Sequence, residues 1–459
     1  MARQFMDWCQ MFEHHFVIRG HNVNEHARHY LSGLLGTQRR KNIERIEADV
    51  AESDYQGMQQ FVSDSPWDHG AVMRQIGEEA EATLGRQADT ALYVDETSFV
   101  KKGNASVGVQ RQYCGRLGKL ENCQVGVFAS LGCGPRAALV DFRLFLPESW
   151  ARDPQRCAKA KVPESERVHR TKLELALAMV TAARARGSTH QWVGGDEVYG
   201  NNHAFTNALE DLGEVFLMDV ASNLPVWECD PRPELPPSSP GQTGRPRTRA
   251  RITAEFKAVS VKTLTARNFA STARVVTIRD ATKGMLRAAL WVQPVWVWDG
   301  QSPTARRRLL IVRQEADGSF KYSMSNAAPD TTWERLAYMQ AQRFWIERCF
   351  QDAKSELGLA QYEVRGWLGW HHHVTLVCLA LLFLLKERTR AQSHTPLLSA
   401  RDIVELLAIY LPRRPRDESE VLRQMHRRHA ARLSDLSNRR RRLKLSSGTS
   451  KYPVETLTK

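Results

Sequence analysis

The sequence predicts a mixed α/β protein, a sheet with helices packed on its faces. Three observations carry that expectation: short apolar runs of strand length, helical segments with 3.6-residue apolar spacing between them, and their order of three strands, helix, strand, helix, strand. Residues 91–95 are the first apolar run, residues 123–130 the second and residues 137–146 the third. Between the first two lies Lys101-Lys102-Gly103, then a Gly-studded segment to Gly118. Residues 171–186 read as a helix, with Leu173, Leu175, Ala176, Met179, Val180 and Ala183 at the apolar spacing and Gly187 as the stop. A strand at 191–196, a helix at 202–212 and a strand at 215–220 complete this part.

The flanking segments differ in character. Residues 1–88 look helical and polar, with an amphipathic start at 39–46, a second segment at 55–62 and a turn at Ser65-Pro66-Trp67-Asp68 leading into another helix. That region reads as a DNA contact, or as a plain helical subdomain with solvated charges. Residues 89–222 form the first part of the core, and 223–328 a β-rich insertion with strand-like segments at 273–278, 286–297 and 308–312. The insertion opens with a Pro-rich, then basic loop at 231–251. Residues 329–387 complete the core with a helix, and 388–459 are polar and strongly basic.

At 459 residues the chain has room for two or three domains, and its apolar fraction of 42% is ordinary for a globular protein. The 65 Lys and Arg exceed the 51 Asp and Glu, giving a net charge of +14, which favours a polyanionic partner, nucleic acid before an anionic membrane. The first residues lack the basic-then-apolar pattern of a signal peptide, and the apolar run at 374–385 is too short to span a bilayer, so it reads as a buried helix. Eight cysteines without close pairing suit reduced core thiols, and the expected location is the cytoplasm, with no membrane association.

The chemistry is expected at three separated carboxylates. Asp95 and Asp196 stand where strands should end, and Glu347 lies on a late helix whose apolar positions include Phe344, Phe350 and Leu357. Arg343, Glu347 and Lys354 are four and seven residues apart, so they project from one side of that helix. Phosphodiester cleavage builds charge on the attacking and leaving oxygens, which two hard cations roughly 4 Å apart can stabilise. Mg²⁺ and Mn²⁺ prefer oxygen ligands, so carboxylates suffice. The trio therefore points to a metal-dependent nuclease or strand-transfer site.

Blander readings stand beside each residue. An Asp at a strand end is often a turn or N-cap residue, and Glu96 and Glu197 rival their neighbours. Arg343 and Lys354 could be intrahelical ion-pair partners. His371, His372 and His373 cannot all face one ion from a helix. Trp192, Trp345, Trp367 and Trp370 read as core residues, with base stacking an alternative for Trp345. The run Arg439, Arg440, Arg441 and Arg442 is either a solvated tail or, beside a nuclease-like site, a phosphate-contacting arm.

Several blocks together resemble the bacterial insertion-sequence transposases of the DDE type. Tyr93-Val94-Asp95-Glu96-Thr97-Ser98-Phe99 with Lys101-Lys102-Gly103 is similar to the block around that family's first catalytic aspartate. The segments 108–115 and 122–125 resemble the family's next stretch of chain, and Gly195-Asp196-Glu197-Val198-Tyr199-Gly200 resembles the second aspartate block. Arg343, Glu347 and Lys354 match the family's Tyr-Arg-Glu-Lys signature in identity and spacing. The tyrosine position holds Gln340, with Tyr338 the nearest tyrosine.

The resemblance implies a ribonuclease-H-like core interrupted by a β-rich insertion. It implies catalysis by Asp95, Asp196 and Glu347 holding two Mg²⁺, with Mn²⁺ as substitute. Arg343, Lys354, Lys101, Lys102 and the arginine run would contact DNA. The partners implied are double-stranded DNA, as terminal repeats and as target, and a second copy in an end-paired homodimer, in the cytoplasm of a bacterium and nucleoid-associated when DNA-bound. A nuclease without strand transfer and a non-catalytic DNA-binding descendant are the alternatives.

Overall fold

The computed structural model describes residues 1–18, 20–235, 249–281 and 284–447, with the side chains of 280, 281 and 439–447 left aside. Most of the basic loop expected at 231–251 lies outside the described residues, as do 448–459.

The expected mixed α/β architecture is present. Its centre is a ten-stranded sheet of β1 (Thr90–Val100), β2 (Gln110–Cys114), β3 (Lys119–Cys133), β4 (Arg136–Leu144), β5 (Trp192–Gly195), β6 (Phe216–Asp219), β7 (Arg274–Ala281), β8 (Gly284–Val297), β9 (Arg306–Gln314) and β10 (Phe320–Ser325). The order across the sheet is β7-β8-β9-β10-β6-β5-β1-β3-β2, with β4 also paired to β3. Only β1·β5 and β5·β6 are parallel; the remaining pairings are antiparallel. Such a sheet, with helices on its faces, fits the ribonuclease-H-like core that the resemblance implies. The strands at 274–325 extend this sheet through the pairing of Ser323 with Asp219, so the insertion continues the central sheet.

Close packing in the centre explains the Gly-Gly of β5. A Cβ on Gly194 would lie 2.5 Å from the Tyr93 ring, and one on Gly195 would lie 2.8 Å from the Met218 sulfur. Two strands missed by apolar-run reading are β2 and β10. In β2 burial alternates along Gln110-Arg111-Gln112-Tyr113-Cys114, the pattern of an edge strand with one wet face. Strand β10 carries lysine and two serines among its six residues.

The first 88 residues are helical, as expected, but far from merely polar. Helices α1 (Ala2–Met11), α2 (Asn24–Leu34), α3 (Ile43–Asp49), α4 (Tyr55–Ser63) and α5 (His69–Leu84) bury Phe5, Trp8, Tyr30, Ile46, Phe61 and Ile76 in the same hydrophobic core as the sheet. Helices α6 (Lys172–Ala185), α7 (Glu197–Gly200) and α8 (His203–Asp211) come next, and α9 (Val261–Thr272) lies in the insertion. Thr171 begins α6 with a capping box, its side chain accepting from the Glu174 amide while Glu174 reaches back.

The helix carrying Glu347, α10, runs Trp333–Ser355 and starts at Thr332, whose hydroxyl accepts from the Arg335 amide. Beyond it, Gly358 adopts φ +68° where a Cβ would strike Lys41, so the chain turns tightly against the N-terminal region. Helix α11 (Trp367–Ala391) is longer than the expected 374–385 run. By length and composition it could cross a membrane, yet 94% of its most apolar window is buried inside the protein. Here it is a core helix, apolar all round because protein surrounds it.

Helices α12 (Ala400–Tyr410) and α13 (Glu418–Ser447) are the last described elements. The basic C-terminal segment is tied to the N-terminal helices by ion pairs. Glu47, buried on α3, has Arg414, Arg423 and Arg427 within ion-pair distance, and Asp49 has Arg413 and Arg416. The Arg414 amide donates to the Asp49 carbonyl, adding a backbone tie. Glu47→Ala is therefore expected to loosen residues 413–428, and limited trypsin digestion should cut there several-fold faster than in wild type. Unchanged digestion would mean that backbone contacts alone hold the segment.

Candidate active site

Strand register builds the site. In β1 and β5, Tyr93 pairs with Gly194, and in β5 and β6, Gly195 pairs with Met218. Carried two steps beyond Tyr93 and one step beyond Gly195, this register sets Asp95, Asp196 and Asp219 in one row across three neighbouring parallel strands. Asp95 is not at a strand end as expected: β1 runs on to Val100, paired with β3, and only its parallel pairing stops at Tyr93. Asp196 does follow the end of β5, and it N-caps α7 by accepting from the Val198 amide at 3.0 Å. The N-cap role and a place in the acidic row are thus compatible, because only one carboxylate oxygen is used.

Glu347 comes to this row on α10 with Arg343 one turn before it. Arg343 is the hub. Its guanidinium lies 2.9 Å from Asp219, 3.0 Å from Glu347 and 3.9 Å from Asp95. Burial opposes its charge, but Asp219, Asp95, Glu347 and Asp196 together outweigh that and raise its pKa. Asp95 is pushed up to about 7, first by burial and next by the charge of Asp196, while Arg343 and the Glu96 amide oppose the shift. Asp196 is raised too, chiefly by burial, with Arg343 lowering it and Glu96 raising it.

The two rivals are placed differently. Glu96 pairs with Lys172 of α6 at 2.5 Å, and Glu197 is exposed at the start of α7. An open cleft runs past the row, lined by Asp196, Glu197, Asp219, Lys262, Lys321 and Arg343. Another cleft, lined by His69, Asp141, Arg143, Arg186 and His371, contains none of the row's acids, and its Asp141 is paired with Arg143 and Arg186.

The profile of a family described as DDE superfamily endonuclease matches residues 18–285, more than half of the chain. The chain belongs to the DDE superfamily of endonucleases. The matched stretch takes in Asp95 and Asp196 and stops short of Glu347. The endonuclease is also similar to a probable transposase for insertion sequence element IS701 from Microchaete diplosiphon. The two are 27% identical over 193 residues, covering 42% of this chain and 47% of that relative. The chain thus aligns with about half the length of the curated relative it matches.

Endonucleases of this superfamily generally use divalent metal ions. The donors here suit such an ion: oxygen only, and in Asp95 and Asp196 two carboxylates whose charge burial disfavours. Among the described residues no three His, Cys, Asp or Glu already converge on one point. The Arg343 guanidinium lies among the acids and supplies the local positive charge.

The remaining sequence-derived candidates fall in varied places. Lys354 is half-buried, its Nζ 5.6 Å from the Phe350 ring centre, and burial lowers its pKa, with Arg116 lowering it further and Asp95 opposing. Lys101 lies 3.4 Å over the Tyr362 ring and donates to the Tyr362 carbonyl, while Lys102 is exposed. Burial lowers Lys101 to about 8. Arg439–Arg442 belong to α13, with side chains outside the described set. His371, His372 and His373 are buried with separate partners: the Trp367 carbonyl, the Val62 and Trp67 carbonyls, and the Tyr30 hydroxyl. Trp192, Trp367 and Trp370 are core, and Arg279 lies over the half-buried Trp345. Phe350 and Leu357 are buried as expected; Phe344 instead points outward, 52% exposed.

Sequence reading missed Asp219, Ser323, Lys321 and Lys262. Asp219 was within reach, since it stands near the end of a recognised strand just as Asp196 does.

Proposed function

We propose that this endonuclease is a transposase that binds the terminal inverted repeats of its element, cleaves the DNA and joins the freed 3′-hydroxyl ends to target DNA. The observation that carries this reading is that Asp95 and Glu347 both lie within ion-pair distance of the Arg343 guanidinium, with Asp196 beside Asp95 in the acidic row. The similarity to a probable insertion-sequence transposase supports it.

Asp95, Asp196 and Glu347 would hold two Mg²⁺, with Mn²⁺ as a substitute. Bound there, the ions would stabilise the attacking and leaving oxygens of an in-line displacement. Arg343, released from part of its carboxylate company when other cations are present, has donors to offer the backbone phosphate at the cut. Lys354, from the same helix, and Lys102 would add phosphate contacts. The arginine run of α13 would add affinity that does not depend on sequence and that falls as salt rises. Pairing of two ends calls for two copies of the chain in the complex.

A plasmid bearing the element's own ends tests this. With Mg²⁺ or Mn²⁺ and purified protein, cutting at the ends and joined products are expected, with neither in EDTA. Cutting without joining would favour a nuclease that lacks strand transfer. Tight end binding with no cutting under any metal would leave a DNA-binding protein only.

A further inference from the structure

The least explained part of the site is Asp219. It lies in the row with Asp95 and Asp196, yet it faces the guanidinium. One carboxylate oxygen accepts from the Ser323 hydroxyl at 2.8 Å, and the other lies 2.9 Å from Arg343 and 3.3 Å from Lys321. Behind it, Gln340 donates to the Ser323 oxygen at 2.9 Å. Gln340 and Ser323 are almost fully buried, and Ser323 is the cross-strand partner of Asp219. Gln340 is one helical turn before Arg343 on α10 and points into the sheet, which places it away from any phosphate in the cleft.

Two buried groups thus hold Asp219, and Asp219 holds Arg343. Without that hold the guanidinium has two carboxylates left in reach, Glu347 and Asp95. Both are among the groups assigned as metal ligands. An arginine paired with them competes directly with a divalent cation for the same oxygens. We propose that Asp219 is a positioning residue that draws Arg343 toward β6 and β10 and so limits how fully the guanidinium engages Glu347, at 3.0 Å, and Asp95, at 3.9 Å, in competition with metal, with Ser323 and Gln340 fixing the orientation of Asp219. This rests on the metal reading of Asp95, Asp196 and Glu347. It also gives Gln340 a role: at the signature's tyrosine position this chain carries a residue that works from behind the acidic row.

The test measures Mn²⁺ binding to the full chain without DNA, by electron paramagnetic resonance, in wild type, Asp219→Asn, Arg343→Gln and the double variant. Circular dichroism checks that each is folded. Asp219→Asn should weaken Mn²⁺ binding by about tenfold, and Arg343→Gln should tighten it. Removing a negative charge also weakens cation binding through space, so the decisive quantity is the loss that Asp219→Asn causes once Arg343 is gone. That loss should shrink to roughly threefold or less, since the two residues act through each other. Ser323→Ala, which leaves every charge in place, should weaken binding in the same direction by a smaller factor.

An equal loss in both arginine backgrounds would overturn the proposal and make Asp219 a metal ligand in its own right. Unchanged binding in Asp219→Asn would overturn it as well. A folded wild type whose Mn²⁺ uptake is insensitive to Asp95→Asn would instead overturn the metal reading on which it rests. Should Asp219→Asn fail to fold, Ser323→Ala in the two arginine backgrounds decides by the same comparison.

Discussion

Glu347→Gln is expected to abolish DNA cleavage, on the order of 10³-fold or more, while leaving both folding and binding of DNA ends as in wild type. The size comes from removing one carboxylate from a site asked to stabilise two charged oxygens, an effect of several kcal/mol on the barrier. The absence of a stability effect comes from the surroundings. Glu347 is 53% exposed, and its ion pair is the one to Arg343 a turn earlier. Such a pair contributes at most about 0.5 kcal/mol to a helix, and glutamine has nearly the same helix propensity. Asp95→Asn should be equally inactive but more stable than wild type. Asp95 is a mostly buried carboxylate beside a second one, so the neutral amide should raise the melting temperature. Electrophoretic mobility shift, cleavage of labelled ends and thermal melts check the three quantities. Glu347→Gln cutting at the wild-type rate would remove it as a ligand and move attention to Asp219, the third acid of the strand row.

The legibility of the fold in the sequence depended on the kind of signal each element carried. Strands β1, β3, β4, β5 and β6 are apolar runs, because both faces of a central strand are covered. They are recognisable with bounds off by a few residues. The end of β1 is misplaced because its second half, Glu96 to Val100, mixes polar and apolar residues, as suits a strand that has lost one neighbour and kept the other. Strands β2 and β10 have no apolar run at all. The N-terminal region looks polar on average, although its aromatic residues Phe5, Trp8, Phe12, Tyr30 and Phe61 all turn inward.

The site was legible where residue spacing alone determines position. Arg343 and Glu347 are one turn apart on one helix, and no tertiary information is needed to bring them together. Asp219 stands near the end of a readable strand, but its significance was hidden for the converse reason. Its importance comes from the register of β5 against β6 and of β6 against β10, which no local pattern encodes. Gln340 illustrates the same limit. As a sequence position it reads only as a departure from the signature's tyrosine, whereas in the fold it is a buried donor to Ser323. Lys101 shows that a basic pair can divide its work, since one lysine packs on Tyr362 and the next stays in solvent.

Trp370→Ala is expected to destabilise the protein by about 3–5 kcal/mol, the range for removing a fully buried large aromatic side chain. Its indole is inaccessible to solvent, edge-on to Phe99 and Phe142, and close enough to β3 that a Cβ on Gly126 would approach it to 3.2 Å. Those neighbours belong to the sheet and cannot all close over the hole, so the cavity term adds to the lost burial. Urea denaturation should show the loss as a lower midpoint with the same slope. Gly126→Ala should destabilise from the other side, by about 1–3 kcal/mol, through overpacking. The pair also decides between two readings of α11, whose composition alone would permit a membrane span. A core helix makes both substitutions costly in detergent-free buffer. A helix that leaves the protein for a bilayer would be indifferent to Trp370→Ala, because Trp370 would then have no contact with Phe99 or Phe142 to lose, whereas Gly126→Ala would keep its clash with the Phe128 ring, 2.8 Å from the added Cβ.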